Sequence, residues 1–340
     1  MKAVVVSAPG HVTIEDVPMP QPGPYDALVR IEACSICNST DVKIVDRHFV
    51  THIPLPLIPG HESVGTVLQV GEKVRSYRAG QRVLRPGAEY GSGGEYASAW
   101  GGMAEYGLVT DLASWRRDHP DEQPGTMWAK QQVIPNDIEA GEATALITLK
   151  ETLFATRAAG VDESTWTAIV GTGPVARSFT FWAHHLGAPF LVVFGRSDRY
   201  CHDFLDLGAN NYVAGTKPCR VDEAKVAGLG AFDRVIEAVG TSQALEDALQ
   251  LCRTGGQVWR YGVPAEDDKD TAQVMAAREV GIIRDLPVRE EDVHQEMLSL
   301  VRDKTVDLSD WISHRLSFEQ VEKGLELIRT REAFKVVLEF

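Results

Sequence analysis

Five cysteines in 340 residues, Cys34, Cys37, Cys201, Cys219 and Cys252, are too few and too unevenly spaced for a disulfide framework in a chain of this length. A reducing compartment is expected. No hydrophobic run approaches a membrane span, and the opening MKAVVVSAP enters an alternating apolar pattern with no cleavage site. The chain is therefore expected to be soluble, unexported and cytoplasmic. Positive charge is in deficit: 34 Lys and Arg face 48 Asp and Glu, a formal charge of -14 spread along the chain rather than gathered in a tail. That balance argues against a nucleic-acid or anionic-membrane surface. Internal repeats and low-complexity tracts are lacking too. What is there is ordinary globular composition, 44% apolar and 24% charged, over a length that predicts two domains.

The first hundred residues read as short strands and turns. Ala3 to Val6, Ala27 to Glu32 and Gly65 to Val70 are rich in strand formers, separated by segments such as PMPQPGP and VGEKV. An antiparallel, partly barrel-like lobe is predicted. From about residue 140 the spacing turns helical, with Ala143, Leu146, Ile147, Leu149, Leu153 and Phe154 on one pattern. Beyond it strands and helices alternate: Thr167 to Val170, a helix through Leu186, Phe190 to Phe194, a helix through Leu207, Arg234 to Ala238, and Gln257 to Tyr261. Alternation of that kind predicts a doubly wound parallel sheet. The tail, ending in KVVLEF, reads as a helix and a strand returning to the first lobe.

Two constellations carry chemistry. In TAIVGTGPVARSFTFWAHHLGA an apolar strand runs into Gly171, Gly173 and Ala176, with Pro174 and Val175 opening the helix that follows. The first glycine permits a tight turn, the second lets backbone approach a pyrophosphate, and the small third residue lets helix pack on strand. The bland alternative is a tight strand-to-helix turn without ligand; the flanking strand and helix and the second strand FLVVFGRS favour a dinucleotide. The other constellation is CSICNSTDVK followed by PLIPGHESVGTV. Cys37, His61 and Glu62 offer a thiolate, an imidazole and a carboxylate, all acceptable to zinc, and Asp41 could orient a ligating histidine. A redox dithiol, two buried cysteines or a satisfied core histidine are the competing readings.

Together these residues resemble the medium-chain dehydrogenase/reductase superfamily, of the zinc-dependent alcohol and polyol dehydrogenase type. The resemblance spans nearly the whole chain: Cys37 to Asp41, GHE at Gly60 to Glu62, GEKV and GQRV, GGMAEY, the glycine loop, FDRVIEAVG, and ISHRLSFEQVEKGLELI. It implies an α/β fold, with a GroES-like β-rich catalytic domain over 1–150 and 295–340, a Rossmann doubly wound parallel-sheet domain over 151–294, and a cleft between them. It further implies one catalytic zinc held by Cys37 and His61, with Glu62 a ligand in some members and behind the ligands in others. Thr40 matches the hydroxyl residue that passes the substrate proton, and Lys43 stands where relatives often carry the histidine next on the relay, with a solvated surface lysine its alternative.

Four departures qualify that likeness. The stretch RPGAEYGSGGEYASAWGGMAEY has no cysteine, so no structural zinc is expected. The motif CNSTD carries one more residue between Cys37 and Asp41 than the commoner form, which favours Thr40 over Ser39 as relay and leaves both open. DLASWRRDHPDEQPGTMW reads as an insertion, a lid or contact loop. Relatives usually place Cys, Glu or Asp near the start of the interdomain helix, where ATALITLKETL offers Thr148; Glu151, about one turn on, is the nearest carboxylate, with a helix-surface role its alternative.

In NAD-binding relatives the second Rossmann strand ends in an acid that holds the ribose hydroxyls. Here LVVF ends at Gly195, followed by Arg196 and Ser197 with Arg199 close behind, a set suited to a 2′-phosphate. NADP(H) is expected, with Asp198 the one nearby acid. The leading reading is a zinc-assisted alcohol dehydrogenase or ketone reductase on a small hydroxylated or keto substrate. A zinc-free reductase of a quinone or activated double bond is the second, and a non-catalytic dinucleotide sensor the third. Asn38, His48, Arg85, Glu89, Tyr90 and Glu95 lean the substrate toward a sugar, cyclitol or other polyol. VGIIRDL, near Ile282 and Ile283, is the expected sheet edge for a homodimer.

Overall fold

The computed structural model describes residues 1–49, 53–90, 94–215, 232–263 and 288–340, and the backbone alone of 281–283. The chain divides into two compact units, Met1–Lys150 with Glu290–Phe340, and Glu151–Arg289. The return to the first unit falls at Glu290 rather than at 295 because Glu290 is buried there in a two-pronged ion pair with Arg85 (2.6 and 3.1 Å).

The first unit is organised by one long strand, Asp26–Ile36, whose DALVRIEACSI is buried along most of its length. Small and β-branched residues suit a strand covered on both faces. It pairs antiparallel with Glu62–Val70, Tyr106–Thr110 and Val336–Glu339, and the sheet continues through Arg82–Leu84 and Val133–Ile134 on one side and His314–Ser317 on the other. A smaller sheet joins His11–Asp16, Lys2–Ala8, Leu57–Ile58 and Ala97–Ser98. Val4, Val6, Ile36, Leu57, Met103, Leu325 and Val336 form the apolar cluster behind the site. Register decides what meets there. Ser35 sits opposite Glu62 on one side and Val337 on the other, so the closing strand brings Lys335 back to the start of Glu62–Val70.

The expected insertion is a short helix, Leu112–Asp118, capped by Asp111, which accepts from the Ser114 amide. Trp115 stacks on His119 and meets Trp128 edge-on, while the Tyr25 hydroxyl donates to Asp118 (2.8 Å). The segment is thus pinned to its own unit.

Among its described residues the second unit is a parallel sheet in the order Asn211–Ala214, Phe190–Gly195, Trp166–Val170, Phe232–Glu237, Cys252–Arg260, Gly281–Ile283. The first strand in sequence lies in the middle and successive strands are laid to either side, the order of a Rossmann sheet. Ligands in such sheets bind beyond the strand ends where the order reverses, here the carboxyl end of Trp166–Val170. Gly281–Ile283 is the edge strand; Val280, the rest of VGIIRDL and Cys219 lie outside the described residues.

Candidate active site

Cys37 follows directly on the central strand and opens a wide turn over Asn38–Val42, in which the Val42 amide donates to the Cys37 carbonyl five residues back (3.2 Å). A turn closed over five residues holds one residue more than an α-turn, which absorbs the additional residue of CNSTD. Asp41 therefore still reaches the core and is fully buried. Its Oδ2 accepts from the Cys37 amide (2.9 Å), and its Oδ1 accepts from the Gly60 amide (3.2 Å) and lies 3.4 Å from His61 Nδ1. One carboxylate so fixes both segments that carry the candidate ligands, and it turns Nε2 of His61 toward the thiol side. Gly60 is obligatory: its φ is +103°, and a β-carbon would stand 2.6 Å from the Met103 amide nitrogen.

Cys37, His61 and Glu62 form a cluster whose potential ligand atoms all lie within 4.8 Å of one another. A soft thiolate, an imidazole and a carboxylate, partly to fully buried, fit zinc. Desolvation opposes charging of His61, but Asp41 and Cys37 outweigh it and raise its pKa well above the ordinary value. Glu62 is more heavily committed. Its Oε2 accepts from Ser35 Oγ and Lys335 Nζ, both at 2.5 Å, and its Oε1 from Thr148 Oγ1 at 2.6 Å; Lys335 also donates to Thr148 (3.0 Å). Burial alone would push the Glu62 carboxyl up, yet Lys335, then His61 and the hydroxyl of Ser35, bring its pKa down to about 2. Lys335 and Ser35 are partners of Glu62 that motif reading missed, whereas Thr148 was singled out there only as the residue at a position where relatives carry a ligand. The one available signal was a lysine at the head of the apolar closing segment FKVVLEF, just before the strand.

Ser39 Oγ lies 3.3 Å from Cys37 Sγ, whereas the buried Thr40 hydroxyl has no hydrogen-bond partner among the described residues. Lys43 is half-buried at the start of the one-turn helix Lys43–Val45. Glu151 is not part of the three-residue cluster. Thr148, not a carboxylate, stands beside Glu62, and Glu151 Oε2 accepts from Tyr261 in the second unit (3.4 Å).

Of the polar set, Arg85 and Glu89 line a recess shared with His61, Trp100, Met127 and Gln131. Arg85 is not available to a substrate there, since Glu290 and the His61 carbonyl (2.7 Å) take its guanidinium. The Tyr90 hydroxyl donates to the Pro18 carbonyl (2.7 Å); Asn38, beside Cys37, and His48 and Glu95 are exposed and do not line this recess. The insertion enters the recess through Met127.

In the second unit Gly171 has φ +128°, and Gly173 caps the helix Pro174–His185 with Pro174 as its first residue. A β-carbon on Gly173 would meet nothing within 4 Å, so the space before the helix N-terminus is open, while Ala176 is fully buried in the helix-to-sheet core. Arg196, Ser197, Asp198 and Arg199 are all exposed just past the end of Phe190–Gly195.

Residues 23–115 match the alcohol dehydrogenase GroES-like domain, and residues 174–303 match the zinc-binding dehydrogenase family. With the geometry above, this establishes the class: the chain belongs to the medium-chain dehydrogenase/reductase superfamily, of the zinc-dependent alcohol and polyol dehydrogenase type, and is an oxidoreductase of alcohol and ketone groups. Among its relatives, L-idonate 5-dehydrogenase of Vitis vinifera is 29% identical over 94% of this chain and 89% of its own length. Human sorbitol dehydrogenase is 26% identical over 99% of this chain and 95% of its own. The alcohol dehydrogenase TADH from Thermus sp. ATN1 superposes with a TM-score of 0.79 over all of both chains at 24% identity.

Proposed function

We propose that the protein is a zinc-assisted, NADP(H)-linked alcohol dehydrogenase or ketone reductase acting on a hydroxylated substrate, a sugar, cyclitol or other polyol favoured. The observation that carries the reading is the buried Asp41 carboxylate, which braces Cys37 and His61 in one cluster with Glu62. Cys37 and His61 would hold the metal, with Glu62 beside them. Zinc bound there lowers the proton affinity of an alcohol and polarises a carbonyl. Thr40 supplies the proton path: its hydroxyl is uncommitted, while that of Ser39 rests against the Cys37 sulfur. Lys43, three residues on, is the next proton acceptor in this reading.

For the cofactor, Gly171, Gly173, Pro174, Val175 and Ala176 form the pyrophosphate turn at the helix N-terminus. Arg196, Ser197 and Arg199 form the ribose-phosphate end, where a guanidinium can fork onto phosphate oxygens. The polyol preference is supported by the sorbitol and L-idonate dehydrogenase relatives and, on the site itself, by Glu89 in the recess beside His61. A homodimer joined at the Gly281–Ile283 edge and a cytoplasmic location complete the reading; no helix among the described residues is long and apolar enough to cross a membrane.

One observation favours the zinc-free reductase as a second reading. Both oxygens of Glu62 are already held by protein donors, and Thr148 stands where relatives place a ligand. Metal content decides between the two. The zinc reading expects one zinc per chain, lost together with alcohol oxidation in Cys37→Ser while nucleotide binding persists. Full activity in zinc-free protein would reject it. Catalytic efficiencies with NADPH and NADH, for the native chain and Arg196→Ala, test the cofactor assignment.

A further inference from the structure

Gly195 has no backbone reason to be glycine. Its φ lies outside the left-handed region, and it continues the parallel pairing as the partner of Ala214. A side chain is barred there by a neighbour. A β-carbon on Gly195 would stand 2.0 Å from the hydroxyl and 2.7 Å from Cζ of Tyr212, which reaches over from the adjacent strand Asn211–Ala214. The Thr172 methyl, at 2.8 Å, is the far end of a side chain that can rotate aside. Tyr212 is less free: its ring lies 5.8 Å from that of the buried Phe204, and its hydroxyl donates to the Ser197 carbonyl at 2.7 Å. Burial pushes the phenol up to about 12, so it keeps its proton and remains a donor at neutral pH.

We infer that Tyr212 is a positioning residue that sets cofactor selectivity. Its hydroxyl closes position 195 to a ribose-binding carboxylate and holds the Arg196–Ser197 turn in the form that receives a 2′-phosphate. An acid at 195 and a tyrosine at 212 exclude each other in the same few cubic ångströms, so selectivity belongs to the pair and not to the arginine alone. This rests on the NADP(H) reading and extends it to a residue on a different strand.

Two measurements test it separately. The first is a thermal-stability cycle without cofactor. Gly195→Ala should lower Tm by about 4 °C in the native background, the cost of overpacking, and by much less in Tyr212→Ala. An undiminished drop in Tyr212→Ala overturns the exclusion. The second is a cofactor panel. Tyr212→Phe keeps the ring and loses the bond to Ser197, so KM for NADPH should rise about fivefold with kcat and the KM for NADH little changed. Gly195→Asp alone should use both cofactors poorly, and Gly195→Asp with Tyr212→Ala should turn the kcat/KM ratio toward NADH. If Gly195→Asp alone makes that turn as fully, or Tyr212→Phe alters both KM values equally, the selectivity role is wrong. A native enzyme that prefers NADH refutes the cofactor assignment and the selectivity role together, and the stability cycle then decides the exclusion by itself.

Discussion

Replacing Lys335 by methionine removes the one ammonium that touches Glu62 and leaves a carboxylate in a site with almost no exposure. The size of the effect follows from the carboxyl's titration. Its pKa stands at about 2 against an ordinary 4.5. At about 1.4 kcal/mol per unit, that depression is worth about 3 kcal/mol of folding stability near neutrality. The contribution is complete above the unfolded value of 4.5 and lost as pH falls through the folded value of about 2. Breaking a buried pair from one side costs about 3–5 kcal/mol, because the remaining charge is left without a partner. Guanidinium unfolding of metal-stripped protein should therefore show Lys335→Met about 3 kcal/mol below native at pH 7, with the gap closing below pH 4. In Glu62→Gln the same lysine replacement should cost far less, since no buried anion is stranded. Zinc should narrow the Lys335→Met deficit, as a bound cation takes over the role of the ammonium. A loss under about 1 kcal/mol, or a loss as large in the Glu62→Gln background, would refute the view that Lys335 is the counter-charge of Glu62.

Two further outcomes are expected. Thr40→Val keeps volume and metal but removes the only uncommitted hydroxyl of the turn, so steady-state turnover should fall about a hundredfold or more; an unchanged kcat would move the proton path to Ser39 or water. His294 has its pKa brought down to about 4 by burial and by Lys150, and its Nε2 donates to the Val133 carbonyl (3.0 Å). Below the unfolded value of 6.5 the unfolded chain takes up a proton that the folded one refuses, so stability should decline from there to about pH 4 and then level. His294→Gln should flatten that limb of the unfolding curve, and a native-like limb in the variant would show that another group produces it.

Local pattern was enough for the elements that carry their reason in their own residues. The glycine turn, the Rossmann alternation and the GHE segment each announce themselves by spacing, and the structure places Gly171, Gly173 and Ala176 at the switch point of the sheet as that spacing implies. The partners of Glu62 could not be read that way. Ser35 lies on the central strand and Lys335 just before the closing one, and antiparallel register brings both to Glu62, while Thr148 reaches the same carboxylate from a helix. Sequence neighbours predict a helix face or a strand face; they do not say which residue lies opposite. The same gap explains Arg85. As one of a polar set it leans toward a substrate contact, but Glu290, more than 200 positions away, claims the guanidinium.

The additional residue in CNSTD shows how far an irregularity in sequence can be absorbed without disturbing the chemistry. Asp41 must meet three groups at once, the Cys37 amide, the Gly60 amide and the His61 ring, and its position is therefore fixed from outside its own turn. With both ends held, an extra residue can go only into the width of the turn between them, and the bond from Val42 to Cys37 spans five residues as a result. Widening swings the residues in the middle: Ser39 is brought against the sulfur, and Thr40 goes inward with its hydroxyl unclaimed. In the proposed proton path, this widening is what leaves Thr40, rather than the adjacent Ser39, with a hydroxyl free to serve, and the Thr40→Val measurement is the test of it.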